Sequence, residues 1–193
     1  MAITNGYTTL AALKARLNIE DCKEDGILEA VIDAASRAID DWTGRRFYAV
    51  TETRHFTADC RDLVFIDDLI SLAELKTDEH GRRDYQRVWG TADYDLEPYS
   101  GAGPKTRIAA NPHGRFVFPS SPRAVQVAGS WGYSASVPPE IREACIILSI
   151  RYYKRKDAAF GMAGSEQLGI IRVIPIDPDV KQIIQSYRRI EVF

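Results

Sequence analysis

Chemistry would first be sought at the histidines, and they offer little. His55, His80 and His113 stand far apart, with no second His or Cys at the close spacing that metal sites use. His55 falls among β-forming residues and the other two among turn formers, so each reads as a solvated or hydrogen-bonded side chain. No Gly-Xaa-Ser-Xaa-Gly elbow marks a nucleophilic serine, and Gly129-Ser130-Trp131-Gly132 falls at a strand end, not at a strand-to-helix turn. Cys145 lies on the apolar stripe of a helix, where a thiol acts as a small core residue. Cys22 and Cys60 sit beside Asp21 and Asp59, whose negative charge opposes thiolate chemistry. Carboxylates adjoin at Asp40-Asp41, Asp67-Asp68 and Asp78-Glu79, but none has a basic or nucleophilic partner that spacing can assign. Gly161, Gly164 and Gly169 form a glycine-rich stretch without the Gly-Lys-Ser/Thr of a phosphate loop. An enzyme or ligand-binding domain would have to use a pocket built from Asp67, Asp68, His55 and Tyr85.

The elements that would carry these residues follow from periodicity. Thr8 or Thr9 can cap a short helix with Leu10, Leu13 and Leu17 on one face. A long helix from about Lys23 to Thr43 carries Ile27, Leu28, Val31, Ala34, Ala35, Ala38, Ile39 and Trp42, and Gly44 suits a left-handed closing residue. At Phe47 the period changes to two. Strands are expected over Phe47–Thr57, Leu63–Ile66, Ile70–Thr77, Tyr85–Trp89, Arg107–Ala109, Phe116–Phe118 and Ala124–Trp131, with turns between them. Helix returns at Pro139 with Ile141, Ala144, Cys145, Leu148 and Tyr152. Asp157–Gly169 reads as a mobile loop and Arg172–Ile176 as an extended segment. A last helix starts at Asp177-Pro178 and carries Val180, Ile183, Ile184 and Tyr187. The fold class is α+β: a helical bundle of two N-terminal and two C-terminal helices, residues 1–46 and 137–193, with an antiparallel β-sheet or small barrel inserted over 47–133. The whole chain is expected to be one domain.

Composition narrows the function. The chain has 193 residues, 45% of them hydrophobic and 27% charged, with a net charge of −2. That is globular, not disordered, and too close to neutral for a generic nucleic-acid binder. Three cysteines without a CxxC suggest reduced thiols. No apolar run is long enough to span a membrane, and the first residues lack the basic and apolar segments of a secretion signal. Charge is unevenly spread. Leu17–Asp41 holds eight acids and two bases, whereas Ile150–Phe193 holds eight bases and five acids. Such a chain can pair head to tail with its own copies, and heterologous contacts close into rings when the rotation permits. Candidate interface residues are Asp33, Arg37 and Asp40 on the acidic side, and Lys154, Arg155 and Lys156 on the basic side. A DNA-contacting module would use Lys154, Arg155, Lys156, Arg188 and Arg189.

Four stretches occur in order along nearly the whole chain. They are Tyr7-Thr8-Thr9-Leu10 with Leu13 to Leu17; Ala34 to Asp40 ending in Thr43-Gly44-Arg45-Arg46-Phe47; Gly129-Ser130-Trp131-Gly132-Tyr133 before Val137-Pro138; and Asp177-Pro178-Asp179-Val180 before Tyr187-Arg188-Arg189. Together they resemble the head–tail connector (adaptor, or head-completion) proteins of tailed double-stranded DNA bacteriophages. Compact members are mainly helical, so the β insertion matches larger relatives that carry an extra sheet. The resemblance implies a structural virion protein, not an enzyme, with no cofactor. Such proteins form a homo-oligomeric ring, a dodecamer in the virion, between the portal protein and a neck, stopper or tail protein. Packaged DNA passes through without sequence-specific binding, no membrane is involved, and assembly takes place in the host cytoplasm. The resemblance also implies that the C-terminal part reaches the portal, through Ile170, Ile171, Val173 and Ile174 as an extended strand and then Tyr187, Arg188 and Arg189. The turns Glu79–Arg83 and Gly101–Lys105 are candidate docking loops.

Overall fold

The first turn of helix is set by a hydroxyl. In a computed structural model describing residues 3–101, 103–155, 162–163, 171–172 and 177–189, the Thr9 side chain accepts from the Ala12 N–H at 3.2 Å and opens α1, Leu10–Leu17. Asn18, in the left-handed region at φ 55°, closes it. The chain divides into two compact units, Met1–Arg45 with Val137–Phe193, and Arg46–Ser136.

The first unit is helical. α2 (Asp25–Thr43) ends at Gly44, whose N–H bonds the Asp40 carbonyl at φ 65°. Its residues Leu28, Ile32, Ala35 and Ile39, at three- and four-residue spacing, are fully buried. They face α3 (Pro139–Lys154), which buries Ile141, Ala144, Cys145 and Leu148. The alanines on both helices let the backbones approach closely. Leu13 of α1 joins Leu28, Ile32 and Ile146 in one apolar cluster. Each such aliphatic side chain contributes about 1.5–3 kcal/mol of burial. α4 (Pro178–Gln185) is capped by the Asp177 carboxylate on the Asp179 N–H at 3.0 Å, and it buries Val180 and Ile184 against α3 and α2. Among the described residues no helix is long and apolar enough to cross a membrane.

The second unit is an antiparallel sheet of six strands: β1 (Val50–Phe56), β2 (Leu63–Thr77), β3 (Arg87–Val88), β4 (Tyr94–Glu97), β5 (Lys105–Ala110) and β6 (Val125–Trp131). The order is β1-β6-β2-β5-β4, with β3 on β2, and the sheet stays open, so the barrel alternative is not adopted. β6 buries Val125, Val127, Gly129 and Trp131 in strict alternation. β2 is one long strand where two were expected. Its first part pairs with β5 and its second with β6, and register shifts near Leu69 and Leu72 absorb the bend. The core holds Val64, Ile66, Leu69, Leu75, Ile108, Phe118 and Trp131, with Trp89 stacked on Phe118 at 4.6 Å.

Two expectations for this unit fail. Phe116–Phe118 forms no strand: Pro112 and Pro119 bracket it, and Phe118 makes a lone bond from its N–H to the Arg61 carbonyl at 2.8 Å. β4 was not expected, since Tyr94-Asp95-Leu96-Glu97 alternates over only four residues. It forms by register with β5, where Leu96 opposes Ile108 and Glu97 ion-pairs with Arg107 at 3.2 Å. In the stretch expected to be a mobile loop, Met162–Ala163 (β7) pairs with Ile171–Arg172 (β8). The rest of that loop, and Val173 to Ile176 of the expected extended segment, lie outside the described residues.

Candidate functional site

Asp33, Arg37 and Asp40 project from one side of α2, as their spacing requires, and the chain's own N-terminal segment occupies them. The Thr4 N–H donates to Asp33 Oδ1 at 3.3 Å and Arg37 Nη2 to the Asn5 carbonyl at 3.0 Å. The Tyr7 hydroxyl donates to Asp40, which also pairs with Arg37 at 3.3 Å. Between them the Tyr7 N–H donates to Ser36 Oγ at 3.0 Å. This polar stripe therefore straps residues 4–7 onto α2.

On the basic side, Arg151 reaches Asp177 at 4.0 Å while Lys154 and Arg155 are exposed at the end of α3. Lys156 lies outside the described residues, as do Ile170, Val173 and Ile174; Ile171 lies in β8. Tyr187 and Arg189 are held against the helical unit. The Tyr187 carbonyl accepts from Arg45 Nε at 2.8 Å, its hydroxyl donates to Glu140 at 3.1 Å, and the Arg189 N–H donates to the Thr43 carbonyl at 2.8 Å. Arg188 between them is exposed.

The residues of the pocket reading fall into two pairs, His55 with Tyr85 and the neighbours Asp67 and Asp68. Asp67 pairs with Arg54 at 2.8 Å, and that guanidinium lies over the Trp131 ring at 4.6 Å. Asp68, its neighbour on the strand, is buried, and its carbonyl accepts from the Gly132 N–H at 2.8 Å. His55 instead packs on the Tyr85 ring at 4.9 Å and contacts Gln126 at 3.1 Å. Burial, and then the charges of Arg123 and Arg83, push the His55 imidazole below its usual pKa. Among the described residues no cluster of three His, Cys, Asp or Glu side chains could hold a metal ion. Cys145 is buried, which pushes its thiol up, while Cys22 and Cys60 are exposed, one in each unit.

Two buried carboxylates organise the loops of the sheet unit. Asp93 accepts from Arg115 Nη2 at 3.1 Å, from the Arg115 N–H at 3.1 Å and from the Gly90 N–H at 2.9 Å. The Arg115 side chain is the main reason its pKa is held down at about 2. Asp78 accepts from the N–H groups of Arg83 at 2.5 Å and His80 at 3.1 Å. Burial raises its pKa, but the backbone donors of Arg83, His80, Arg82 and Gly81 outweigh that, and the net shift is downward. The loop wrapped on Asp78 is the Glu79–Arg83 turn flagged in the sequence. Arg123, which the fold brings to it, was missed, because no short-range pattern joins the two.

The arrangement among the described residues is one of charged surfaces. The sequence matches the head completion protein family over residues 7–190. No curated protein matches it. Solved structures share the fold, three of them as follows. A chain from the neck of an empty GTA particle computed with C6 symmetry has TM-score 0.63 and 19% identity, over 100% of this chain and 95% of that one. One from the neck of a native GTA particle computed with C12 symmetry has TM-score 0.64 and 18% identity, over 100% and 94%. One from the virion of a native gene transfer agent (GTA) particle has TM-score 0.64 and 19% identity, over 100% and 95%. Because the family match takes in the sheet as well as α1 to α4, the chain belongs to the head completion protein family.

Proposed function

We propose that this chain closes the head–tail junction as a ring of identical subunits, seated on the portal and offering a docking surface to the next neck or tail protein. Family membership makes it a structural virion component of the head–tail connection, and the match over residues 7–190 is the observation that carries the reading. Neck assemblies with C6 and C12 symmetry among its structural neighbours support a ring, of which a dodecamer is the form proposed here. Packaged DNA passes through that ring without base-specific contact. Catalysis plays no part in this role.

Portal contact is assigned to the C-terminal part: Ile170, Ile171, Val173 and Ile174, then Tyr187, Arg188 and Arg189. Arg188 is exposed beside two residues that are anchored to the helical unit, which supports its selection as the side chain to vary. Deleting the whole segment would be a poor test, since Val180 and Ile184 belong to the core. Lys154, Arg155 and Lys156 are assigned to subunit contacts.

The reading is tested by co-sedimentation with DNA-filled, tail-less capsids carrying the cognate portal. Saturable binding at a small fixed number of copies per capsid is expected. Absence of binding under all salt conditions would overturn it. Arg188→Glu is expected to weaken docking while leaving Tm unchanged.

A further inference from the structure

We propose that Arg82, Arg83 and Arg123 form the face with which one copy of this chain grips the acidic α1–α2 connection of the next copy. The inference rests on the ring reading above and deepens it, since a head-to-tail ring needs two different, complementary faces on one subunit.

The basic face is built by two loops, joined by the backbone bond from the Asp78 N–H to the Ala124 carbonyl at 2.8 Å and by the Tyr85 side chain. The Tyr85 hydroxyl donates to the Arg123 carbonyl at 2.9 Å, and the Arg123 N–H donates to Thr57 Oγ1 at 2.9 Å. The ring of the same tyrosine packs on His55. Arg83 (φ 61°), Tyr85 (φ 45°) and Arg123 (φ 58°) all adopt the left-handed conformation. They are three of the five such non-glycine residues among those described. This conformation is costly for side-chain-bearing residues, and it recurs where a surface has a task beyond folding. Here it holds guanidinium groups in place that fold stability does not use. Among the described residues no carboxylate ion-pairs with Arg82, Arg83 or Arg123, and all three are exposed. Glu79 of the same loop is already taken by Arg87 at 2.5 Å. Asp84 lines a separate cleft of about 200 Å³ together with Glu79, His80 and Arg87. Burial first, and then the charges of Arg123 and Arg83, depress the His55 imidazole beside them. Asp78, sealed by backbone N–H groups, fixes the loop, so little order would be lost on docking.

The complementary face lies in the helical unit. Ile19, Glu20, Asp21, Glu24 and Tyr153 line an open cleft of about 590 Å³. Glu20 and Asp21 are exposed, and Ile27, 46% exposed, lies one turn along α2. Lys23 is the one base of the lining and pairs loosely with Asp21 at 3.8 Å. Planar guanidinium groups match carboxylates in bidentate fashion, which fixes register as well as attraction. A second copy is favoured over DNA because both faces occur on one chain whose net charge is only −2, leaving little general pull toward a polyanion.

The test is a charge exchange in the full-length chain, read as copies bound per portal-bearing capsid, with Tm as the folding control. Arg82→Glu with Arg83→Glu, and separately Glu20→Lys with Asp21→Lys, are each expected to lower ring occupancy at limiting protein about tenfold or more. The chain carrying all four changes is expected to recover to within about threefold of wild type, since the exchanged positions again face opposite charges while Arg123 and Glu24 are left as they were. Ring formation by either reversed variant at wild-type level, or failure of the fourfold variant to recover, overturns the inference and leaves the ring reading standing. Absence of rings from the unaltered protein defeats the ring reading first. Salt-sensitive binding of a linear duplex by the unaltered chain, lost in the Arg82/Arg83 variant without loss of ring occupancy, assigns the face to DNA and likewise overturns the inference.

Discussion

Asp93 is held in its charged form by Arg115 and two backbone N–H groups, with its carboxyl at about 2 against an ordinary 3.8. The unfolded chain binds its proton first as acid is added, so this contribution is complete above about pH 4 and is lost as pH falls through about 2. Asp93→Asn is expected to lower Tm at neutral pH and to flatten the decline between pH 4 and 2; thermal melts across that range check both. Trp131 tests the core of the same unit. Its indole N–H donates to the Glu52 carbonyl at 2.8 Å, and Arg54 lies over its ring. Trp131→Ala is expected to cost about 3–5 kcal/mol in urea unfolding. At this scale the sequence was legible in part. Cys145 on an apolar stripe is a core residue, as its position implied. Asp33, Arg37 and Asp40 read as candidate subunit-interface residues, and their contacts with residues 4–7 were not legible, since spacing along α2 carries no information about an N-terminal segment that folds back on it. Arg123 was invisible for a similar reason: its loop is joined to that of Arg83 by the Tyr85 hydroxyl and by the Asp78 to Ala124 backbone bond, both between residues far apart in sequence.

Elements differ in how locally they are determined. The helices could be read because their signals are local: Thr9 and Asp177 cap, Gly44 closes, and Leu28, Ala35 and Ile39 recur at helical spacing, although the buried Ile32 was not picked out and Ile27 of the expected stripe is exposed. Strand ladders are set by partners distant in sequence, which is why β4 went unseen and Phe116–Phe118 was wrongly expected to pair. Glycines at two elements give opposite expectations. Gly26, in the first turn of α2, has open space around its Cα, so Gly26→Ala is expected to stabilise by about 0.5–1 kcal/mol. At Gly129, where β6 meets the bulged part of β2, an added Cβ would lie 2.4 Å from the Ser71 carbonyl oxygen. Gly129→Ala is therefore expected to cost about 2 kcal/mol or more. Chemical denaturation of the two variants side by side checks the pair.

On the scale of the whole molecule, the sheet unit has its ends tied together. The Tyr133 N–H donates to the Arg46 carbonyl at 2.8 Å, and Phe47 packs on Tyr133 at 5.3 Å between ring centres. With its own buried core of aromatic and aliphatic side chains, the fragment 46–136 is expected to fold when expressed alone, giving a dispersed amide NMR spectrum and a cooperative melt. A collapsed spectrum would show that the sheet depends on the helical unit. The thiols give this molecule an optical use. Cys22 on the helical unit and Cys60 on the sheet unit are accessible, and Cys145 is shielded with its thiol driven toward the unreactive protonated form. Thiol-reactive donor and acceptor dyes therefore attach at these two positions without any mutation, in a statistical mixture, and energy transfer in the doubly labelled molecules becomes a ruler for the Cys22–Cys60 distance.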